Sequence, residues 1–292
     1  MNTFIKALLR PVARRLPWWS LDVVQYVLMF RRPLRIDRPR YLNDWVMRRK
    51  WKECRGNALF SLLADKFAVR RYVSELLPED VLIPLLHKFD NVIELRAALP
   101  SLSWVVVKPN HGAGMVRVLD LPLNELEQDA LILEASAWLE LDYSVKVREA
   151  HYSGIKPCLL VEERIGERGV PLDDYKIHIF KKPSGEARFV LQIIEGRFSS
   201  ELVRTFYVDQ FDRPSFGSYA LSLEKKAVLE RAVEFSSVLL GTLRYARVDW
   251  YIVGDRLYFG EITITPASGL GGGYGEEIDR IMGVMFADSI TN

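Results

Sequence analysis

The sequence predicts an α+β protein: two subdomains with largely antiparallel sheets, preceded by a short, basic, helical N-terminal segment. Three observations lead there. Apolar β-rich runs in the second half are joined by hairpin-type turns, helical periodicity occupies the stretches between them, and Lys and Arg crowd into the first 52 residues. The chain has 292 residues, 49% hydrophobic and 27% charged, which suits a globular protein with a sizeable core. Its two cysteines, Cys54 and Cys158, are too far apart for a CxxC pair. The four histidines, at 87, 111, 151 and 178, have no zinc-ligand spacing. A reducing cytoplasm is the expected compartment.

The N-terminal segment justifies its separate status by charge. Residues 1–52 hold 13 Lys/Arg against 3 Asp/Glu, a surplus of ten, whereas the whole chain carries +2, so the remainder carries −8. A basic arm beside an acidic body points either to a polyanion or anionic membrane surface, or to a basic helix docked on that body. The apolar stretch WWSLDVVQYVLMF (residues 18–30) contains Asp22 and is shorter than the roughly 20 residues that cross a bilayer. No small-residue cleavage site follows it, so a secretory signal is not expected. Trp18 and Trp19 beside arginines suit an interfacial helix on the inner face of a membrane; the same spacing also suits core packing.

Residues 40–77 read as helices, LNDWVMRRKWKECR and ADKFAVRRYVSELL, with Asp65 placed for a helix start. DVLIPLLHKF is extended and broken by Pro84; SWVVVKPN is a strand, HGAG a turn, and MVRVLDL a second strand. Residues 122–140 return to helix. CLLVEERI, DYKIHIFKK and ARFVLQIIEG read as strands, with KPSG as a hairpin turn between the last two. Residues 221–241 are helical, RVDWYIV and RLYFGEITI pair about Gly254-Asp255, and a glycine-rich SGLGGGYG precedes a last helix. Hairpin-connected strands of this kind exclude a doubly wound parallel sheet.

Three constellations can carry chemistry. In the C-terminal hairpin a regular register places Asp249 opposite Gly260; a bulge would bring Asp249 and Glu261 to one side, where two carboxylates suit Mg²⁺. Arg247 shares the face of Asp249 and can meet a phosphate or an oxyanion. The bland alternative is a half-exposed hairpin with polar outward positions. Lys108 ends an apolar strand, where an ammonium needs an anionic partner, and the following His111, Gly112, Ala113 and Gly114 allow close backbone approach to phosphate oxygens. A tight turn with a lysine at its mouth explains the same residues. Finally, Glu162 and Glu163 end one strand and Asp174 and Lys176 begin the next, giving a nucleotide slot or, equally, a salt-bridged surface hairpin.

The colinear order of these parts resembles the ATP-grasp superfamily. ADKFAVRRYV, VVVKPNHGAG, LLVEERIGE, DDYKIHIF, RVDWYIVGDRLYFGEITITPASGL and DRIMG are similar to its TupA-like branch, over about residues 36–283. The resemblance implies an ATP-grasp fold in which two α+β subdomains grip ATP, with Mg²⁺ bridging its phosphates. It implies the division 1–60, 61–160 and 161–292: basic segment, first subdomain, second subdomain. By the same resemblance Arg70 and Lys108 contact phosphate, His111–Gly114 form a lid, and Glu162 and Glu163 stand at the adenine hinge. Asp174 holds ribose and Lys176 the phosphates, while Asp249, Glu261 and Thr263 ligate metal. Arg247 and Arg197 bind anionic groups of the reacting centre.

Two departures stand out. Thr263 occupies the place of a usual metal-ligating Asn, and residues 1–65 are short and helical where the superfamily commonly has an α/β domain. The implied activity is an ATP-dependent carboxylate–amine ligase, forming an amide on a uronic acid through an acylphosphate in cell-surface polysaccharide synthesis. No Ser-His or Cys-His arrangement suggests a covalent nucleophile. The rivals are a Mg–ATP-dependent sugar or lipid-head-group kinase and a non-catalytic nucleotide-binding partner of a membrane assembly; no nucleic-acid partner is expected.

Overall fold

The structure, a computed structural model, describes residues 18–195 and 203–291. Four helices come first: α1 (Ser20–Phe30), α2 (Leu42–Lys52), α3 (Ala58–Ala64) and α4 (Ala68–Leu76). Then follow β1 (Leu85–Phe89), α5 (Val92–Ala98), β2 (Trp104–Pro109), β3 (Arg117–Asp120), α6 (Glu125–Glu140), α7 (Tyr143–Val147) and β4 (Leu159–Glu163). The second half runs β5 (Asp174–Lys181), β6 (Ala187–Glu195), β7 (Val203–Val208), α8 (Leu223–Leu239), β8 (Tyr245–Val253), β9 (Arg256–Thr263) and α9 (Gly275–Ile290).

The strands form two antiparallel sheets. One has the order β1-β4-β2-β3, the other β7-β6-β5-β8-β9. Strand β7, VRTFYV, and the short helix α3 are not foreseen by local pattern; the other strands and long helices lie where periodicity places them. Helix starts carry their own chemistry. Asn57, Asn91, Asn124, Asp142 and Ser222 each accept a backbone N–H of their helix, and Asp65 accepts from Phe67 and Ala68.

Alternation on β5 decides what each face of the larger sheet does. Tyr175, Ile177 and Ile179 point into a core with Phe60 and Leu63 of α3, Val69 and Val73 of α4, and Leu229 and Leu239 of α8. The opposite face carries Asp174, Lys176, His178 and Phe180. Only its far end is apolar: Phe180, Val190, Phe206 and Tyr245 are covered by Leu42 and Trp45 of α2 and by Met282 and Phe286 of α9. Close approach of α9 depends on Gly283, whose added Cβ would stand 2.2 Å from the Arg40 carbonyl oxygen. The smaller sheet buries Val105, Val107 and Val161 against Leu95 of α5 and Leu131 and Trp138 of α6. Its other face therefore carries Lys108 and Glu162.

The basic segment docks on the body through charges of both signs. Asp22 of α1 is fully buried against Lys50, Trp51 and Arg148. Arg49 is buried as well and donates to the carbonyls of Tyr245 and Ile264, and Arg32 pairs with Asp279. Part of the N-terminal positive charge is thus internal.

Candidate active site

The C-terminal hairpin sets the centre. From Val253↔Arg256 to Trp250↔Phe259 the register is regular; between Asp249 and Trp250 it shifts, and Asp249 comes opposite Glu261. Gly260 is the extra residue of this bulge, and a Cβ there would lie 2.9 Å from the Asp249 carbonyl oxygen. The two carboxylates therefore share one face, as a bulge requires.

Arg247 binds them together. Its Nε donates to Asp249 Oδ1 at 2.6 Å, and its Nη2 to Asp249 Oδ2 at 2.8 Å, Glu261 Oε1 at 3.1 Å and Thr263 Oγ1 at 2.9 Å. The Thr263 hydroxyl donates to Glu261 Oε1 at 3.2 Å. Lys176, one strand over, places Nζ 2.5 Å from Asp249 Oδ2 and 3.6 Å from Asp174 Oδ2. Lys66, between α3 and α4, reaches across to Glu261 Oε2 at 3.2 Å and donates to the Gly112 carbonyl at 2.6 Å. Three cations thus face three carboxylates.

Electrostatics follow from that balance. Burial works to raise the Glu261 carboxyl, but Lys66, Arg247 and Lys176 hold it well below the usual carboxylate range. Burial likewise works against the Arg247 charge, yet Asp249 and Glu261 keep the guanidinium above its ordinary value. His178 is fully buried beside them; burial first, then Arg247 and Lys176, push its pKa well down, so the ring is neutral. Its Nδ1 lies 2.9 Å from the Tyr245 hydroxyl, and its Nε2 has no partner among the described residues.

A second charged cluster stands on the smaller sheet. Glu162, buried, is 2.5 Å from Lys108 Nζ and 3.3 Å from Arg70 Nη1, and Arg70 Nη2 donates to the Ile83 carbonyl at 2.7 Å. Glu163, the next residue, is exposed. His111 is the buried root of the glycine loop: Nε2 is 3.2 Å from the Leu141 carbonyl, and burial lowers its pKa. Gly112 and Gly114 have φ of +78° and +76°, which favours glycine, and Ala113 and Gly114 form the exposed tip. Arg197 lies outside the described residues.

Lys176, Arg247, Asp174, Asp249, Glu261 and Thr263 are thus one cluster, and Arg70, Lys108 and Glu162 a second. Lys66, His178 and Gly260 complete the first cluster and are not picked out by the sequence. Lys66 was visible only as a charge at a helix start; its target lies 195 positions on. Asp249, Glu261 and the Thr263 hydroxyl put oxygen donors side by side on two strands. That set fits Mg²⁺, which takes few protein oxygens and leaves positions to phosphates and water. Among the described residues no group of three or more His, Cys, Asp or Glu is arranged to hold a metal ion, so the candidate set rests on two carboxylates and a hydroxyl.

Comparison with known proteins bears on the fold. An L-amino acid ligase from Bacillus licheniformis superposes with a TM-score of 0.54 at 16% identity, covering 85% of this chain and 55% of its own. D-Alanine-D-alanine ligase from Helicobacter pylori matches with a TM-score of 0.49 at 20% identity, covering 79% and 62%. This chain therefore spans little more than half the length of such enzymes. No curated protein matches at a significant level. Both matched enzymes are ligases by name, and the likeness to them is one of fold. The model of the TupA-like ATP-grasp family matches residues 44–287, most of the sequence, and the chain belongs to that family.

Proposed function

We propose that this protein is an ATP-dependent carboxylate–amine ligase, activating a uronic acid or similar carboxylate for amide formation in cell-surface polysaccharide or glycoconjugate synthesis. The observation that carries the reading is the charge-balanced cluster of Lys66, Lys176 and Arg247 with Asp174, Asp249 and Glu261. Each lysine there holds a carboxylate that Mg²⁺ would neutralise instead. Asp249 and Glu261, with Thr263, would hold the metal of Mg–ATP, and Lys66 and Lys176 would then be available to phosphate oxygens. Mg²⁺ supplies charge compensation between the phosphates and these carboxylates.

The remaining roles follow the positions. Lys108 of the smaller sheet and Arg70 of α4 bind phosphate, Glu162 and Glu163 stand at the adenine side, and Asp174 meets the ribose. His111–Gly114 close over the phosphates, with backbone amides as donors. Arg247, already forked on Asp249, faces the carboxylate oxygen as negative charge develops during phosphoryl transfer. Arg197 is assigned the second anion contact. The neutral His178 ring is unsuited to balance charge and instead fixes the packing beneath Arg247. The proposed setting is the inner face of a membrane, where ATP meets envelope precursors.

Incubation with Mg–ATP, glucuronate or galacturonate and hydroxylamine tests the reading. ADP, free phosphate and a hydroxamate are expected together. A phosphorylated sugar without free phosphate would identify a kinase instead, and absence of nucleotide turnover across carboxylates would leave only a binding protein.

A further inference from the structure

Helix α1 is inside out. It buries Asp22 and Tyr26 and, beside the polar Gln25, exposes Val24, Val27, Leu28 and Met29 at 42–62%. The cause is a set of polar contacts from distant parts of the chain. Asp22 accepts from Lys50 Nζ at 3.0 Å, Trp51 Nε1 at 3.0 Å and Arg148 Nε at 2.7 Å, and the Tyr26 hydroxyl donates to Asp44 at 2.6 Å. A buried carboxylate with three donors cannot be exchanged for the apolar face without stranding those charges. The apolar face is therefore fixed outward.

What flanks that face decides what covers it. Trp18 and Trp19, each about half exposed, rest on Trp51 at 6.0 and 6.2 Å between ring centroids. At the other end Arg31, Arg35 and Arg38 are exposed, whereas Arg32 is engaged by Asp279. Rings with a polar edge beside apolar residues and arginines match the order of a bilayer interface: acyl chains, headgroup boundary, phosphates. No described helix is long and apolar enough to cross a membrane.

We propose that α1, with Trp18, Trp19, Arg31, Arg35 and Arg38, is a docking surface for an anionic phospholipid bilayer, lying in the plane of the interface. Met29 sits against the glycine-rich turn after β9: a Cβ on Gly272 would come 3.0 Å from its sulfur. Docking therefore holds that turn beside the bilayer. The inference rests on the membrane setting proposed above but not on the ligase chemistry.

Co-sedimentation of the full chain tests it, with vesicles of phosphatidylcholine alone and of phosphatidylcholine with phosphatidylglycerol in a two-to-one ratio, at low and high salt. The expected result is binding to the anionic vesicles only, reversed by salt. The paired substitution Val24→Ser and Leu28→Ser, at exposed positions, should weaken binding about tenfold or more. Arg35→Gln with Arg38→Gln should weaken it and flatten its salt dependence. Unchanged Mg–ATP binding in both variants controls for folding. Equal binding to neutral vesicles, no binding at low salt, or full binding by the serine variant would each overturn the proposal. So would a concentration-dependent dimer abolished by the serine pair. ADP release in solution is read separately, so failure of docking and failure of the ligase reading are distinguishable.

Discussion

Lys66 and Lys176 hold carboxylates that the proposed reaction needs for metal, so the cluster should respond sharply to loss of either acid. Asp249→Asn and Glu261→Gln each preserve shape and remove charge. Mg-dependent ATP turnover is expected to vanish in both while far-UV circular dichroism stays unchanged; wild-type turnover in either would rule out the metal assignment. Lys108→Met should weaken ATP binding by about 1.5–3 kcal/mol, the worth of a hydrogen bond to a charged group. Because Lys108 also pairs with buried Glu162, isothermal titration must separate this from stability; unchanged affinity would make the lysine only a partner of Glu162. Glu149 offers a pH-dependent check. Burial pushes its carboxyl up to about 7, against hydrogen bonds from Thr265 and Ser268 and the nearby Lys50. The folded state then keeps a proton that the unfolded state releases near pH 4.5, so this group's contribution is present at low pH and is lost as pH rises through about 7. Glu149→Gln should therefore leave Tm nearly unchanged at pH 4 and raise it at pH 8, by up to about 3 kcal/mol in stability. A parallel pH dependence in variant and parent would contradict this. At this scale the sequence drew attention to charges set in apolar strands, as with Lys108 and Asp249. It was silent on Lys66 and His178, whose roles come from partners brought up by tertiary folding.

The β8–β9 hairpin is the element on which the site depends. Its turn residues and alternation define a register in which Asp249 would face Gly260, and the one-residue bulge that the carboxylate pair demands is present at that place. Gly260→Ala should force the bulge open, because its Cβ would meet the Asp249 carbonyl oxygen at 2.9 Å. A cost of about 1–3 kcal/mol and a joint fall in Mg–ATP turnover are expected, measured by urea unfolding and ADP release. Full turnover in that variant would mean that the carboxylate pairing does not need the bulge. Other elements were less legible. Helix α3 has only seven residues, too few to show a period. Helix α1 shows the limit of periodicity most clearly. Its apolar spacing reads as a buried face or an interfacial one, and only Lys50, Trp51 and Arg148, up to 126 positions away, settle which side turns inward.

Across the whole molecule, the smaller sheet carries Lys108 and Glu162, with Arg70 of α4 beside them, the larger sheet carries the Asp249 cluster, and Lys66 links that first cluster to the glycine loop through Glu261 and the Gly112 carbonyl. Ligand binding should therefore stabilise the fold as a unit. Saturating Mg–ATP at about 100 times Kd is expected to add about 2.7 kcal/mol to unfolding free energy, visible as a rise in Tm that EDTA largely removes. The antiparallel architecture and the order of motifs were legible in the sequence because hairpin turns and apolar alternation are local. The acceptor side was not, since it depends on loops whose partners are set only in three dimensions. The central claim is that a carboxylate is activated by phosphoryl transfer, and one isotope measurement addresses it directly. Glucuronate labelled with heavy oxygen in its carboxylate is incubated with Mg–ATP, an amine and the protein, and the released phosphate is analysed by mass spectrometry. Transfer of one heavy oxygen atom from carboxylate to phosphate for each amide formed is the predicted result; amide or ADP formed with no label in the phosphate would contradict it.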